Sequence, residues 1–238
     1  MAAGHRRQEE CNLIKILKNM RDNPKCKICR RVGEKLFLKG ERCFSQKCEM
    51  IRKPYAPGPK GKRRKSPLSE YGKEWREVQK IKNMYGLPGA QLRKYVKEIL
   101  KKHRKTGAMR SKEGSEDASS LLVKRLELRM DNAVFKLGFS VSRRQARNLV
   151  SHNHFVVNGK SVKIASFDLK KGDIVTIKPT SAKKTIFQKL PTMLKKHNPP
   201  SWLSLNLDKM EGKVIGAPTL EEAALPIDVP AIFEFYSR

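Results

Sequence analysis

Aromatic side chains are scarce in this 238-residue chain, at 7% of positions, and hydrophobic residues reach only 38%. Both shares fall short of an ordinary globular protein, so any core is modest for the length. No run approaches the roughly 18 apolar residues that a membrane-spanning helix requires. Met1 to Glu10 ends on Glu9 and Glu10 without an apolar stretch, so neither a membrane protein nor an exported one is expected. A glycine-rich loop ending in Lys-Ser or Lys-Thr is also missing, which removes the usual nucleotide cradle. Acidic residues are few against their opposites: 23 Asp and Glu face 53 Lys and Arg, a net charge of +30. Self-repulsion at that charge weakens a compact state unless a polyanion neutralises it, and nucleic acid is the commonest such partner. A small-molecule substrate gives no reason for the excess, so none is expected.

The charge is spread unevenly. Residues 1–120 carry 33 basic and 13 acidic side chains, residues 121–208 carry 17 and 5, and Lys209 to Arg238 carry 3 and 5. The tail therefore stands outside the polyanion footprint. Its Ile232, Phe233, Phe235 and Tyr236 suit either a protein contact or a last strand packed on its own chain. Lys53 to Pro67 combines four Pro, two Gly and a basic cluster, and cannot sustain helix or sheet. It reads as an arm lying along phosphates, with Arg52, Lys53, Lys60, Lys62, Arg63, Arg64 and Lys65 as contacts. Residues 106–120 are small and polar and read as a flexible insertion. Between these stretches Tyr71, Trp75, Val78, Ile81 and Tyr85 share a helical face, Gly86 stops that helix and Pro88 permits a new one. Leu92, Val96, Ile99 and Leu100 mark the second helix, whose other side bears Arg93, Lys94, Lys97, Lys101 and Arg104.

Four of the five cysteines are spaced for a metal. Cys26-x2-Cys29 is followed after thirteen residues by Cys43-x4-Cys48, and two close pairs can each wrap one edge of a zinc tetrahedron. A closed four-thiolate site leaves no position for water, so such a zinc is structural. An iron–sulfur cluster also uses four cysteines and stays open as an alternative. Disulfides are not expected in a chain without an export signal.

The densest signal runs from Leu121 to Pro179. Leu122, Leu126, Met130, Val134 and Leu137 repeat at helical spacing, and Gly138 can end that helix as a C′ glycine. Ser142 and Gln145 then form a capping box. Arg143, Arg144 and Arg147 occupy the first turns of this second helix, where cations oppose the helix dipole. That conflict predicts a bound anion, with backbone N–H groups and arginine forks converging on one phosphate. Phe155-Val156-Val157 reads as a strand, Asn158-Gly159 as a tight turn, Val162 to Ile164 as the return, and Ile174 to Ile177 as a third strand. Lys160 and Lys163 flank the turn. Two helices on a small sheet with a basic edge can follow the backbone and shape of a folded RNA.

The stretch RMDNAVFKLGFSVSRRQARNLVSHNHFVVNGKSVKIASFDLKKGD resembles the RNA-binding module named after small-subunit ribosomal protein S-four. KLFLKGERCFSQKCEMIRKPYAPGPKGKRRKSPLSEYG, REVQKIKNMYGLPGAQLRKYV, SWLSLNLDKMEGKV and the terminal IFEFYSR are similar to the other parts of that ribosomal family, in its order. The resemblance implies an α+β protein: a 1–24 extension, a mainly helical 25–105 domain with a four-cysteine zinc site, the 106–120 insertion, a 121–185 αα-β-hairpin RNA-binding domain, and a 186–238 segment packing back on the N-terminal domain. It further implies a primary binder of small-subunit rRNA that nucleates assembly of the five-prime domain. Ribosomal protein S-five and messenger RNA near its path into the particle are the implied neighbours, with an effect on decoding accuracy. Cys26, Cys29, Cys43 and Cys48 match the zinc-bearing form of the family. A cytoplasmic ribosome is the implied location, an organellar one being the alternative. Asn153 departs from the usual Gly and must accept the helix-ending conformation. Pseudouridine synthases share the module, but only 59 residues follow Pro179 here. Asp208, Asp228 and Glu234 make no acid–base pair, and Asp131 reads as a cap or a helix ion-pair partner. Catalysis is therefore not expected.

Overall fold

The computed structural model describes residues 25–59, 61, 67–105, 117–188, 190–195, 197–207, 209–223 and 225–237, with the backbone alone for residues 104 and 105. The 1–24 extension, most of the insertion (106–116) and the expected contacts Lys60, Lys62, Arg63, Arg64 and Lys65 lie outside the described residues, as does the side chain of Arg104. The chain divides into a smaller unit, whose described residues are 25–35, 42–59 and 61, and a larger one formed by 36–41 and the chain from 67 onward.

The smaller unit is built on short helices: α1 (Lys25–Val32), most of α2 (Glu41–Phe44) and α3 (Glu49–Arg52). Its buried side chains among the described residues are Cys29, Val32, Cys43 and Cys48. Arg30 donates from Nε to the Tyr55 carbonyl at 2.9 Å and stacks its guanidinium 4.9 Å from the Tyr55 ring centre. With so little apolar surface to bury, hydrophobic burial contributes little to this unit's stability.

The larger unit opens with α4 (Glu70–Met84), α5 (Gly89–Lys105) and α6 (Ala118–Glu127). Ser69 caps α4, its hydroxyl accepting from Gly72 N, and the turn through Gly86 to Pro88 separates α4 from α5 as expected. Val78, Ile81, Leu92, Val96, Ile99, Leu122, Val123 and Leu126 form their shared core. The outer end of the predicted α4 stripe stays uncovered, since Tyr71 is 55% and Trp75 46% exposed.

The expected single helix through Leu122 to Leu137 is two helices. α6 ends at Glu127, and α7 (Met130–Lys136) begins after Arg129, whose backbone is extended at φ −66° and ψ 140°. A neighbouring loop causes the break. Leu169 N donates to Leu128 O at 2.9 Å, Met130 N donates to Phe167 O at 2.9 Å, and Arg129 bridges Asp168. Helical i→i−4 bonding cannot continue through residues whose backbone is used this way.

α8 (Arg143–Ser151) follows, then β1 (Phe155–Val157), β2 (Lys160–Ser161) and β3 (Ile174–Ile177). The return strand lies earlier than the expected Val162–Ile164. The two-residue Asn158-Gly159 turn, with φ of 48° and 79°, pairs Val157 with Lys160 and Val156 with Ser161 at once. After short helices α9 (Pro179–Ala182), α10 (Thr185–Gln188) and α11 (Leu190–Leu194), two further strands appear, β4 (Leu203–Asn206) and β5 (Glu211–Val214). The sheet is antiparallel throughout in the order β2-β1-β3-β5-β4. Val134, Leu137, Leu149, Phe155, Val175, Trp202 and Val214 fill the core between sheet and helices.

The 186–238 segment therefore does not return to the N-terminal helices as one piece. Its first half completes the module's sheet. After it, α12 (Leu220–Ala223) packs on α6 and α13 (Val229–Ser237) lies on α4 and α5, burying Ala223, Val229 and Ile232. The end of the chain is a helix and not the strand weighed from sequence. Asp228 precedes it and Pro230 stands in its first turn, a combination that suits a helix start. None of the described helices is long and apolar enough to cross a membrane.

Candidate RNA-binding surface

The local sequence sets α8 at a fixed angle. Ser142 Oγ accepts from Gln145 N at 3.3 Å, and Gln145 Oε1 accepts from Val141 N at 3.1 Å. This is the expected capping box with its return bond one residue upstream. Gly138 follows α7 and Asn153 follows α8 with φ of 85° and 61°, so Asn153 does take the helix-ending conformation.

The three arginines at the start of α8 do not converge on one spot. Arg143 is half-buried, donates from Nε to Asn132 Oδ1 at 2.8 Å, and lies 4.9 Å and 4.8 Å from the ring centres of Tyr85 and Phe135. Arg147 donates from Nη1 to the Gly86 carbonyl at 2.7 Å. Arg144 has no such contact among the described residues. Two of the three cations are thus engaged by the protein's own groups, Arg143 by two rings and an amide oxygen and Arg147 by one carbonyl.

Exposed cations gather elsewhere on the larger unit. Lys160, Lys163, Lys170 and Lys171 are exposed around the hairpin and the following turn. Asn158 fixes that region, donating from Nδ2 to Asp173 Oδ1 at 2.8 Å and accepting from Ile174 N at 2.9 Å. Ser161 hydrogen-bonds to the Asn153 side chain, which ties the hairpin to the end of α8 opposite the arginines, ~13 Å away for nine residues. Arg93, Lys94, Lys97 and Lys101 are exposed on α5 as expected, and Arg52 and Lys53 are exposed on the smaller unit.

Beneath this surface lies a buried polar seam that the sequence reading largely missed. Arg129, 0% exposed, grips Asp131 in a two-pronged pair at 3.1 and 2.9 Å and donates to Tyr95 Oη at 2.9 Å. Glu127, also fully buried, accepts from the Tyr85 hydroxyl and from Asn132 Nδ2 at 2.9 Å. Burial, reinforced by Glu127, holds the Tyr85 pKa well above the ordinary phenol value. Lys136 stands 4.0 Å from Glu127. Burial lowers its pKa, Arg143 adding to the effect and Glu127 opposing it. A warning was legible: an arginine in an otherwise apolar repeat, two residues before an aspartate. The sequence indicates only a cap or ion-pair role for Asp131 there.

Cys26, Cys29, Cys43 and Cys48 are thiols of the smaller unit, and all but Cys26 are buried. The donor set is of the kind zinc takes. Among the described residues, however, no three Cys, His, Asp or Glu side chains gather as a metal group.

Fold and surface together define a class: a basic RNA-binding protein in which an S4-type module is fused to a helical domain. The family described as "Ribosomal protein S4/S9 N-terminal domain" matches residues 21–112, and the "S4 domain" matches residues 128–175. The "Small ribosomal subunit protein uS4" of Halothermothrix orenii is 42% identical over 215 residues, covering 90% of this chain and 97% of that protein. Proteins of the same name from Thermotoga petrophila and Caldicellulosiruptor bescii are 40% and 43% identical over the same shares. The chain belongs to the small ribosomal subunit protein uS4 family.

Proposed function

We propose that this chain is a structural, non-catalytic constituent of the small ribosomal subunit that binds the subunit's rRNA directly. The observation that carries this is the family relationship, which spans 90% of the chain. The exposed cations of α5 and the hairpin suit a phosphate-rich partner, and the scarcity of exposed aromatics on the module suits a folded RNA over unpaired bases. The particular target is a folded junction in the five-prime domain of the rRNA, bound early enough to nucleate assembly. The location is the ribosome, in the cytoplasm or in an organelle.

A neighbouring protein, S-five in the family's terms, also belongs to this reading, with a consequent influence on decoding accuracy and a place near the path of messenger RNA. Its support is an aromatic cluster on α4 and α13, where Phe235 lies 5.4 Å from both Tyr71 and Trp75 and 5.1 Å from Tyr236 between ring centres. This cluster lies partly on the acid-bearing tail, where phosphates are unwelcome. Zinc is the third part: Cys26, Cys29, Cys43 and Cys48 would hold one structural ion, which would compensate for a unit with so small an apolar interior.

The test is binding to a five-prime-domain transcript across a salt titration, together with sedimentation of tagged protein with small subunits. Tight binding that falls steeply with salt and co-sedimentation are expected. A protein that ignores the transcript and stays at the top of the gradient would overturn the reading.

A further inference from the structure

Two of the three arginines that open α8 are turned inward, and both meet the same place. Arg143 lies between the rings of Tyr85, at the end of α4, and Phe135, on α7. Arg147 reaches the carbonyl of Gly86, the next residue after Tyr85. Gly86 lies one residue past Tyr85, the cap of α4, with φ of 63°, so this bond lands on the turn that closes the helix. Tyr85 is itself held by Glu127, and Glu127 by Asn132, whose amide oxygen accepts from Arg143. The contacts therefore close a ring that passes from the module to the helical half and back.

We propose that Arg143 and Arg147 are positioning residues that clamp the RNA-binding module to the end of α4, and that Arg144 alone of the three is left to meet phosphate. This rests on the rRNA-binding reading above and refines it. The cationic face of α5 and that of the hairpin belong to different halves of the larger unit, so one folded RNA can meet both only if their angle is fixed. The clamp fixes it. The role requires a guanidinium and not merely a charge: Nε serves Asn132 while the plane lies against two rings, a geometry that lysine's ammonium does not reproduce.

The two roles predict opposite responses to conservative exchange and to salt. Binding to the five-prime-domain transcript is measured by filter retention for the wild type, Arg143→Lys, Arg143→Ala, Arg144→Ala and Arg147→Met, with circular dichroism melts to identify the folded temperature range. Arg143→Lys is expected to bind roughly tenfold more weakly despite keeping its charge, a loss of the size seen when coupled contacts are broken. The slope of log affinity against log salt should stay at the wild-type value for Arg143→Ala and Arg147→Met, and should fall by about one for Arg144→Ala. Tyr85→Leu should reproduce the Arg143→Lys loss, and the double variant should be no weaker than either single one. Wild-type affinity in Arg143→Lys, or a slope reduced by about one in Arg143→Ala or Arg147→Met, would overturn the clamp. If Arg143→Lys proves too unstable to assay, the half-buried Arg147→Met decides by the same slope. Failure of the wild type to bind the transcript would reject the ribosomal reading instead.

Discussion

Replacing Asp131 by alanine should test the seam beneath the RNA-binding surface at its most sensitive point. Arg129 is fully buried and spends its guanidinium on three hydrogen bonds, two to Asp131 at 3.1 and 2.9 Å and one to Tyr95 at 2.9 Å. Asp131 also accepts from Asn132 N at 2.9 Å, so its carboxylate helps to start α7. Asp131→Ala removes the counter-charge and leaves a buried cation with the Tyr95 hydroxyl. Breaking a buried pair from one side costs about 3–5 kcal/mol, most of it the penalty for the stranded charge. A protein of ordinary stability has roughly 5–15 kcal/mol in all. In urea unfolding followed by the fluorescence of Trp75 and Trp202, the midpoint should fall by roughly 1–2 M. Exchange of both partners for apolar residues, Arg129→Met with Asp131→Leu, should recover most of that loss, because no charge is then left buried. A single variant within about 1 kcal/mol of wild type, or a double variant no better than the single, would refute the reasoning.

Three further outcomes are expected. Gly138→Ala places a Cβ 2.7 Å from His197 Cδ2 at a residue with φ of +85°, so it should destabilise by at least about 1 kcal/mol, and an unchanged urea midpoint would contradict this. His154 is buried against Ser181, and burial, aided by Lys184 and His152, lowers its pKa below the ordinary 6.5. The unfolded chain then takes up a proton that the folded one refuses. This contribution is complete above about pH 6.5 and is lost as pH falls, so melting temperature should drop on acidification, less so in His154→Gln. Identical pH profiles for the two proteins would count against it. Elemental analysis of protein purified without chelator should find about one zinc per chain, with chelation unfolding the smaller unit first; metal-free protein of unchanged stability would reject the zinc proposal.

Much of the fold was legible because its signals are local. The α4 and α5 stripes, the stop at Gly86, the capping box of Ser142 and Gln145, and the Asn158-Gly159 turn each depend on residues a few positions apart, and the structure keeps them, Tyr71 and Trp75 at the outer end of the α4 stripe alone staying exposed. What escaped depends on distant partners. The break at Arg129 is imposed by the backbone of Phe167 to Leu169, and the apolar spacing from Leu122 to Leu137 gives no hint of it. Strands β4 and β5 are four residues each, and Gly212 sits in the second against the Leu137 side chain, where a Cβ would fall 2.3 Å away. Such short, glycine-bearing segments carry too little periodicity to be read alone. The candidate site divides in the same way. Its cationic composition was readable, but the direction of Arg143 was not, because the ring that receives it lies 58 positions earlier, at Tyr85.

The sheet order has a consequence for synthesis. Strand β3 has β1 on one side from Ile174 onward, but its other neighbour, β5, ends only at Val214. A chain emerging N-terminus first holds the middle of its future sheet as a bare edge until almost all of it has been translated, with Ile174 to Ile177 ready to pair with any passing strand. Nascent chains stalled near residue 200 should therefore be the species most in need of a chaperone, and stop codons placed there should yield aggregates in place of a smaller working module.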